Sequence, residues 1–160
     1  MKKLRIYLDT SVIGGCFDYE FSPWSNALLD DFFAGSFAPV LSQLLAAEIR
    51  PAPEPIRAKY TELLGLGGEL VEIDAEVLQL AAAYEKHGAL PPALRNDMLH
   101  IALATVAEVD VLVSWNFKHI VRLDKIRLFN AVNLELGYKV LQIYSPREVT
   151  LHGRDRDQSS

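Results

Sequence analysis

The chain has 160 residues, with 16 Lys and Arg against 21 Asp and Glu, so its formal net charge is −5. Half of the residues are hydrophobic, which suffices for a substantial core and excludes intrinsic disorder for the bulk of the chain. The acidic balance argues against a protein that coats nucleic acid through bulk charge, and it leaves open a localised acidic site.

Short apolar runs alternate along the chain with longer periodic segments that are typical of amphipathic helices. The first run, LRIYLD at 4–9, predicts a buried strand, and Asp74 is a predicted helix cap. Prolines and glycines mark most of the other boundaries. The predicted strands are 4–9, 38–42, 70–73, 109–114 and 139–144, and the predicted helices are 25–33, 44–49, 54–64, 74–87, 95–106 and 123–137.

Strands that alternate with helices predict a parallel sheet covered on both faces. We therefore expect an α/β fold, a single three-layer sandwich with a mostly parallel sheet of four or five strands. One domain is predicted over 1–150, and the polar residues 151–160 are predicted to form a disordered tail. In such folds the functional site lies at the carboxyl ends of the strands, at a switch point in strand order.

By this rule, four polar residues are candidates for the functional site. Asp9 ends the first strand, Glu48 closes the segment after the second strand, Asp97 opens the helix before the fourth strand, and Asn116 follows that strand. Three carboxylates on one rim repel one another unless a cation offsets their charge, and Mg²⁺ or Mn²⁺ prefers oxygen ligands. The sequence thus predicts a metal site made by Asp9, Glu48 and Asp97.

Several segments of the chain match a known pattern in order and spacing. They are YLDTSVIGG at 7–15, AAEI at 46–49, RNDMLHIALA at 95–104, DVLVSWNFKHIV at 110–121 and the stretch at 130–149. Together they cover nearly all of residues 4–149 and resemble the PIN domain. That family is a metal-dependent ribonuclease fold common among VapC-type toxins of toxin–antitoxin pairs.

The resemblance implies roles for particular residues. Asp9, Glu48 and Asp97 stand at the acidic positions of the family and would bind Mg²⁺ or Mn²⁺, while Asn116 would hold a metal water or orient a carboxylate. Ser11 matches the hydroxyl or amide residues that the family places beside its acids. The implied activity is an endoribonuclease that hydrolyses RNA phosphodiester bonds with a metal-activated water.

One position departs from the family pattern. His119 stands where the family often has an Asp, three residues after Asn116. This departure favours an alternative, a PIN-like module that binds RNA or protein with weak or no nuclease activity. A third reading is an unrelated α/β domain that binds a nucleotide, but DTSVIGG at 9–15 has neither of the usual glycine-rich phosphate-loop patterns.

A basic segment follows the fourth predicted strand. Lys118, His119 and Arg122 are predicted to contact substrate phosphates, and Arg95 is predicted to join them. Trp115 either packs under the site or stacks on a base, and we favour packing. His100 is predicted to be an interior residue of an apolar helix, although it shares a helix face with Asp97.

Partners and location follow from composition and from the resemblance. VapC-type proteins usually dimerise and are held inactive by an antitoxin, so RNA, an antitoxin protein and a second copy of the chain are the expected partners. The stretch 17–37 is a candidate dimer surface, although core packing explains it equally well. Cys16 is the one cysteine, no apolar run approaches about 18 residues, and Arg5 and Asp9 interrupt the apolar start. We expect a cytoplasmic protein without membrane association.

Overall fold

The computed structural model describes residues 2–151, so the prediction for 152–160 lies outside the described residues. Within that part no helix is long and apolar enough to cross a membrane. The strands are β1 (Arg5–Leu8), β2 (Ala38–Ser42), β3 (Glu69–Val71), β4 (Val111–Val113) and β5 (Ile143–Tyr144). The helices are α1 (Thr10–Gly15), α2 (Ser22–Phe33), α3 (Gln43–Ile49), α4 (Glu54–Leu64), α5 (Ala75–Lys86), α6 (Arg95–Val106), α7 (Leu123–Glu135) and α8 (Pro146–Val149), with a 3₁₀ turn at Pro92–Leu94.

The five strands form one sheet in the order β3-β2-β1-β4-β5, and every pairing is parallel. The chain builds outwards from β1 through β2 to β3, and then crosses to the other side of β1 to form β4. The strand order therefore reverses between β1 and β4. In open parallel sheets, the crevice at the carboxyl ends of such strands is the usual ligand site.

Alternate side chains of the central strand enter two separate cores. Tyr7 packs among buried residues of α5, α6 and α7, whereas Ile6 and Leu8 pack among residues of α1, α2 and α4. Helices thus cover both faces of the sheet, as its near-continuous apolar strands require. The predicted α/β sandwich with a parallel sheet is confirmed, and the sheet has five strands.

The last strand is shorter than predicted. The sequence predicts a strand over 139–144, but only Ile143 and Tyr144 pair with β4. The side chain of Asn130 explains the difference, because its Oδ1 accepts from the Leu141 backbone N–H at 2.8 Å and its Nδ2 donates to the Leu141 carbonyl at 3.1 Å. The two backbone groups that Leu141 would offer to a sheet are therefore used by a helix.

Short helices were missed at both ends of the chain. Neither α1 nor α8 was predicted, because segments of six and four residues are too short to show a helical period. Helix α2 also begins earlier than predicted, at Ser22. Ser25 lies inside this helix, and its hydroxyl donates to the Val12 carbonyl at 2.7 Å in the core. The predicted Asp74 cap is confirmed, and its Oδ1 accepts from the Val77 N–H at 2.9 Å.

Asp31, a buried acid of α2, forms hydrogen bonds with the last two described residues. Asp31 Oδ2 accepts from Thr150 Oγ1 at 2.6 Å and from the Leu151 N–H at 3.0 Å, so Leu151, the first residue of the predicted tail, is fixed to the domain. We expect Asp31→Ala to lower the free energy of unfolding by about 2–3 kcal/mol, because it leaves two donors without their charged acceptor. Urea unfolding measures the effect. The exposed neighbour Asp30→Ala is the matched control, and equal losses in both variants would contradict this account.

Candidate active site

Asp9 lies at the switch point, directly after β1, with only 4% of its surface exposed. Its Oδ1 accepts from Ser11 Oγ at 2.6 Å and its Oδ2 accepts from Ser114 Oγ at 2.5 Å. The two serines in turn accept backbone N–H groups from the loop after β4, Ser11 from Trp115 and Ser114 from Asn116, both at 2.9 Å. This network fixes the orientation of the Asp9 carboxylate between the ends of β1 and β4.

The electrostatic setting of Asp9 disfavours its charge. Burial raises its pKa, repulsion from Asp97 adds to the rise, and attraction to His100 together with the two serine hydrogen bonds opposes it. No Lys or Arg of the described residues forms an ion pair with Asp9. A buried carboxylate without a cationic partner is costly, and such groups are found at functional sites.

Asp97 lies in the first turn of α6 and faces the loop after β4. Its Oδ2 is 3.4 Å from Asn116 Nδ2, and Asn116 Oδ1 accepts from the His119 N–H at 2.9 Å. Burial raises the pKa of Asp97 and repulsion from Glu48 adds to the rise, while attraction to His100 and His119 and the hydrogen bond from Asn116 oppose it. The structure therefore brings Asn116 to Asp97 and places His119 within electrostatic reach.

Glu48 is held from two directions. Its Oε1 accepts from Thr10 Oγ1 at 2.8 Å and lies 2.6 Å from His100 Nε2. Burial acts to raise the pKa of Glu48, but hydrogen bonds from His100, Thr10 and Asn96, together with attraction to the His100 ring, outweigh burial and lower the pKa. Glu48 is thus the acid of this site that is favoured in its charged form.

His100 joins the site from inside the core. It is 3% exposed, as predicted for an interior residue, yet its Nδ1 lies 2.6 Å from the Tyr7 hydroxyl and its Nε2 contacts Glu48. Tyr7 donates to Ser42 Oγ at 2.9 Å, and Ser42 caps α3, the helix that carries Glu48. The spacing of three residues from Asp97 was the available signal for this role.

A divalent cation fits the donor set of this site only in part. Among residues 2–151, no three His, Cys, Asp or Glu side chains are grouped so that they could hold a metal ion together. Mg²⁺ commonly uses only one or two protein carboxylates and completes its shell with waters and phosphate oxygens. Asp9 and Asp97 supply two such carboxylates, since both offer hard oxygen ligands and they lie close enough to repel each other. A third ligand from Glu48 stays a prediction.

The basic residues predicted to contact substrate have different surroundings in the structure. Arg122 is exposed and pairs with Asp124 at 2.8 Å, and Lys118 is exposed. Arg95 lines a separate cavity between α5 and α6 together with Glu85. Within residues 2–151, none of these three cations forms an ion pair with Asp9, Glu48 or Asp97. Their contact with substrate stays a prediction.

Trp115 packs beneath the site, as favoured from the sequence. Its ring is nearly buried, its Nε1 donates to Ser25 Oγ at 2.7 Å, and it stacks on Phe21 with ring centroids 4.2 Å apart and planes 13° apart. A Cβ at Gly15 would lie 2.6 Å from Ser25 Oγ and 2.7 Å from Trp115 Nε1, whereas a Cβ at Gly14 would meet no atom within 4 Å. Gly15 thus makes room for the Trp115 ring.

This pair of glycines yields a prediction with a built-in control. Gly15→Ala is expected to destabilise the fold by roughly 1–3 kcal/mol because it overpacks the Trp115 ring. Gly14→Ala, one residue earlier in the same helix, is expected to be neutral or to stabilise by up to about 1 kcal/mol. Thermal unfolding of the two variants measures the contrast, and losses of similar size would show that the close approach at Gly15 does not matter.

Comparisons with known proteins give matches in structure only. No protein-family model matches the sequence, and no curated protein matches it. The VapBC2 complex of Rickettsia felis, bound to a DNA fragment from its promoter, matches with a TM-score of 0.58 at 14% identity over 89% of this chain and 98% of the other. FitAcB from Neisseria gonorrhoeae matches with a TM-score of 0.56 at 18% identity over 90% of this chain and 99% of the other.

A third match agrees with these two. FitAB bound to an IR36 DNA fragment has a TM-score of 0.56 at 17% identity over 88% of this chain and 94% of the other. The fold is PIN-like. The fold class predicted from the sequence is confirmed. Asp9 lies at the switch point between β1 and β4, and Asp97 faces Asn116 in the loop after β4.

Proposed function

We propose that the protein is a metal-dependent endoribonuclease of the PIN type that hydrolyses phosphodiester bonds in RNA. The observation that carries the proposal is the Asp9 carboxylate, which is buried at the switch point and oriented by Ser11 and Ser114. Asp97 lies within electrostatic reach of it, and among residues 2–151 no Lys or Arg forms an ion pair with either acid. Such an arrangement is costly for folding and is well suited to a cation.

Each residue of the site has a task in this proposal. Asp9 and Asp97 would hold Mg²⁺ or Mn²⁺, with Glu48 as the predicted third acid. A bound ion of this kind supplies an activated water and offsets the charge that develops on the phosphate. Asn116 orients Asp97, and His100 orients Glu48. Neither Asn116 nor His100 reacts with the RNA.

The proposal extends to partners. The sequence resembles VapC-type toxins, and the matched structures include a VapBC complex and FitAB complexes. We therefore propose that this chain is the toxin of a toxin–antitoxin pair, with an antitoxin protein as its partner, and that it forms a homodimer in the cytoplasm. Phe17 and Tyr19 are exposed, as a contact surface requires, whereas much of α2 is buried in the core.

Metal-dependent cleavage of unpaired RNA tests the proposed activity. We expect the wild type to cleave in Mn²⁺ or Mg²⁺, to stop in excess chelator, and to lose activity by about a thousandfold in Asp97→Asn. Asp110→Asn is the matched control, because Asp110 lies at the opposite end of the sheet, where it accepts from the Arg5 N–H at 2.7 Å. Cleavage that persists in chelator, or in Asp97→Asn at the wild-type rate, would reject the assignment.

One observation favours a second candidate function. Because no three acids of the described residues form a ready ligand group, the site also suits a PIN-like module that binds RNA or protein without cutting. Binding of RNA without cleavage in either cation, with Asp97→Asn binding at least as tightly as the wild type, would support this candidate. Removal of a negative charge would then favour a polyanion without any catalytic loss.

A further inference from the structure

We propose that a groove beside the acids receives one unpaired base of the RNA, which stacks on the exposed ring of Phe117 next to the groove. The inference rests on the proposed function, because it names how the substrate of that site is held. The groove lies between α1 and the loop after β4 and has a cavity volume of about 460 Å³, within the range of small-molecule sites. Ser11, Gly14, Phe21, Trp115 and Asn116 contribute to its walls.

The groove is continuous with the proposed catalytic site. Ser11 lines the groove and donates to Asp9, and Asn116 lines the groove and contacts Asp97. The same two side chains therefore face the acids and the groove. A phosphodiester held at the acids would leave an attached nucleotide beside this groove.

The Phe21 and Trp115 rings form the groove wall next to the loop, and the Phe117 ring packs against both of them. Phe21 and Trp115 stack on each other, and the Phe117 ring lies 6.3 Å from Phe21 and 6.0 Å from Trp115, tilted by 56° and 64°. Although two rings hold it in place, Phe117 is 49% exposed. An open ring whose position is already fixed loses little freedom on binding, and base stacking on such rings is how proteins hold unpaired nucleotides.

The side of the groove formed by Gly14 is open, because this residue carries no side chain. Gly14 lines the groove, and a Cβ there would meet nothing within 4 Å. A longer side chain at this position would occupy the groove rather than the core. Asp18 also lines the groove, and its Oδ1 accepts from the N–H groups of Glu20 and Phe21. Asp18 and the Ser11 hydroxyl make this part of the groove polar. A base, whose edge carries hydrogen-bonding groups, therefore fits it better than an aliphatic side chain does.

Binding of a fluorescein-labelled RNA of eight unpaired nucleotides tests the groove. The titration uses an Asp9→Asn background in which cleavage is blocked, and it is read by fluorescence anisotropy. We expect Phe117→Ala to weaken binding roughly 5- to 100-fold, Phe117→Tyr to bind like the background, and Gly14→Leu to weaken binding while Gly14→Ala does not. Phe33→Ala is the matched control, since Phe33 is a 39% exposed aromatic on α2 outside the groove.

Oligonucleotides with one abasic position each identify the stacked base. One position should weaken binding about as much as Phe117→Ala does, and its effect should vanish when it is combined with that variant. Phe117→Ala binding at the background level, or abasic and Phe117 effects that add at every position, would overturn the proposal. So would an equal loss by Phe117→Ala for duplex RNA, whose bases are not free to stack.

The same titration separates this inference from the nuclease assignment. If the wild type never cleaves RNA in Mn²⁺ but the Phe117 and abasic effects coincide, the proposed activity fails and the base groove stands. If the wild type cleaves RNA and Phe117→Ala binds normally, the groove fails and the activity stands.

Discussion

Asp9→Asn is expected to lower the rate of RNA cleavage by about a thousandfold or more and to raise the midpoint of thermal unfolding. The loss of activity follows because an amide replaces a charged oxygen ligand at the centre of the site. The gain in stability follows because burial and Asp97 both penalise the Asp9 charge, whereas an Asn is uncharged. Its oxygen still accepts from one serine hydroxyl, and its amide N–H donates to the oxygen of the other. A gain on the order of 1 kcal/mol is typical when a strained functional group is removed.

Both effects are measured on one protein preparation, by single-turnover cleavage and by thermal unfolding in chelator. Asp110→Asn should leave the cleavage rate unchanged, because that acid lies at the far end of the sheet. An Asp9→Asn protein that is inactive and less stable than the wild type would mean that Asp9 serves the fold rather than a costly functional site.

His100→Ala is expected to have the largest effect on stability of any single change in the site. It removes a buried ring that contacts both the Tyr7 hydroxyl and Glu48, so it leaves a cavity and takes one hydrogen-bond partner from each of these two groups. We expect a loss of about 3–5 kcal/mol in the free energy of unfolding, the range for truncating a large buried ring. Chemical unfolding measures the loss.

A second histidine–glutamate pair supplies the control. His87 lies 3.5 Å from Glu135 on the surface, where exposed pairs contribute little. We expect His87→Ala to change stability by less than about 1 kcal/mol. Losses of equal size at the two histidines would contradict the role of burial in the pair formed by His100.

A positioning role for His100 is separable from its effect on stability. His100→Gln offers a donor to Glu48 at about the place of Nε2, so it should recover cleavage relative to His100→Ala. The Mn²⁺ concentration for half-maximal cleavage should rise in His100→Ala and return towards the wild-type value in His100→Gln, because Glu48 is oriented again. A merely structural residue would leave that midpoint unchanged among the molecules that remain folded.

Much of the fold could be predicted because its signals are local. The apolar run ending at Asp9 predicts β1, the Asp74 cap predicts the start of α5, and the alternation of elements predicts a parallel sheet. The candidate acids could be predicted from one rule, that sites lie at the carboxyl ends of strands, and from the resemblance to the PIN domain. Their role as a functional site stays a prediction. The same rule argues against a site role for Asp110, because it precedes β4 and lies at the opposite end of the sheet.

The remaining features depend on contacts between distant residues. Nothing in the sequence near Leu141 shows that Asn130 takes its backbone groups and ends a predicted strand early. The role of His100 depends on the Tyr7 side chain, which is 93 residues away and reaches it from the central strand. The pairing of Arg122 with Asp124 is likewise a choice of partner that charge counting does not reveal.

The central claim is that the acids at the switch point bind a divalent cation, although no three of them are grouped so that they could hold a metal ion together. Saturable Mn²⁺ binding tests this claim most directly. Free Mn²⁺ is followed by electron paramagnetic resonance as the ion is added to the wild type, Asp9→Asn, Asp97→Asn and Asp110→Asn. The account predicts saturable binding by the wild type and Asp110→Asn, and at least tenfold weaker binding by the other two. Absence of binding by the wild type, or equal binding by all four proteins, would contradict it.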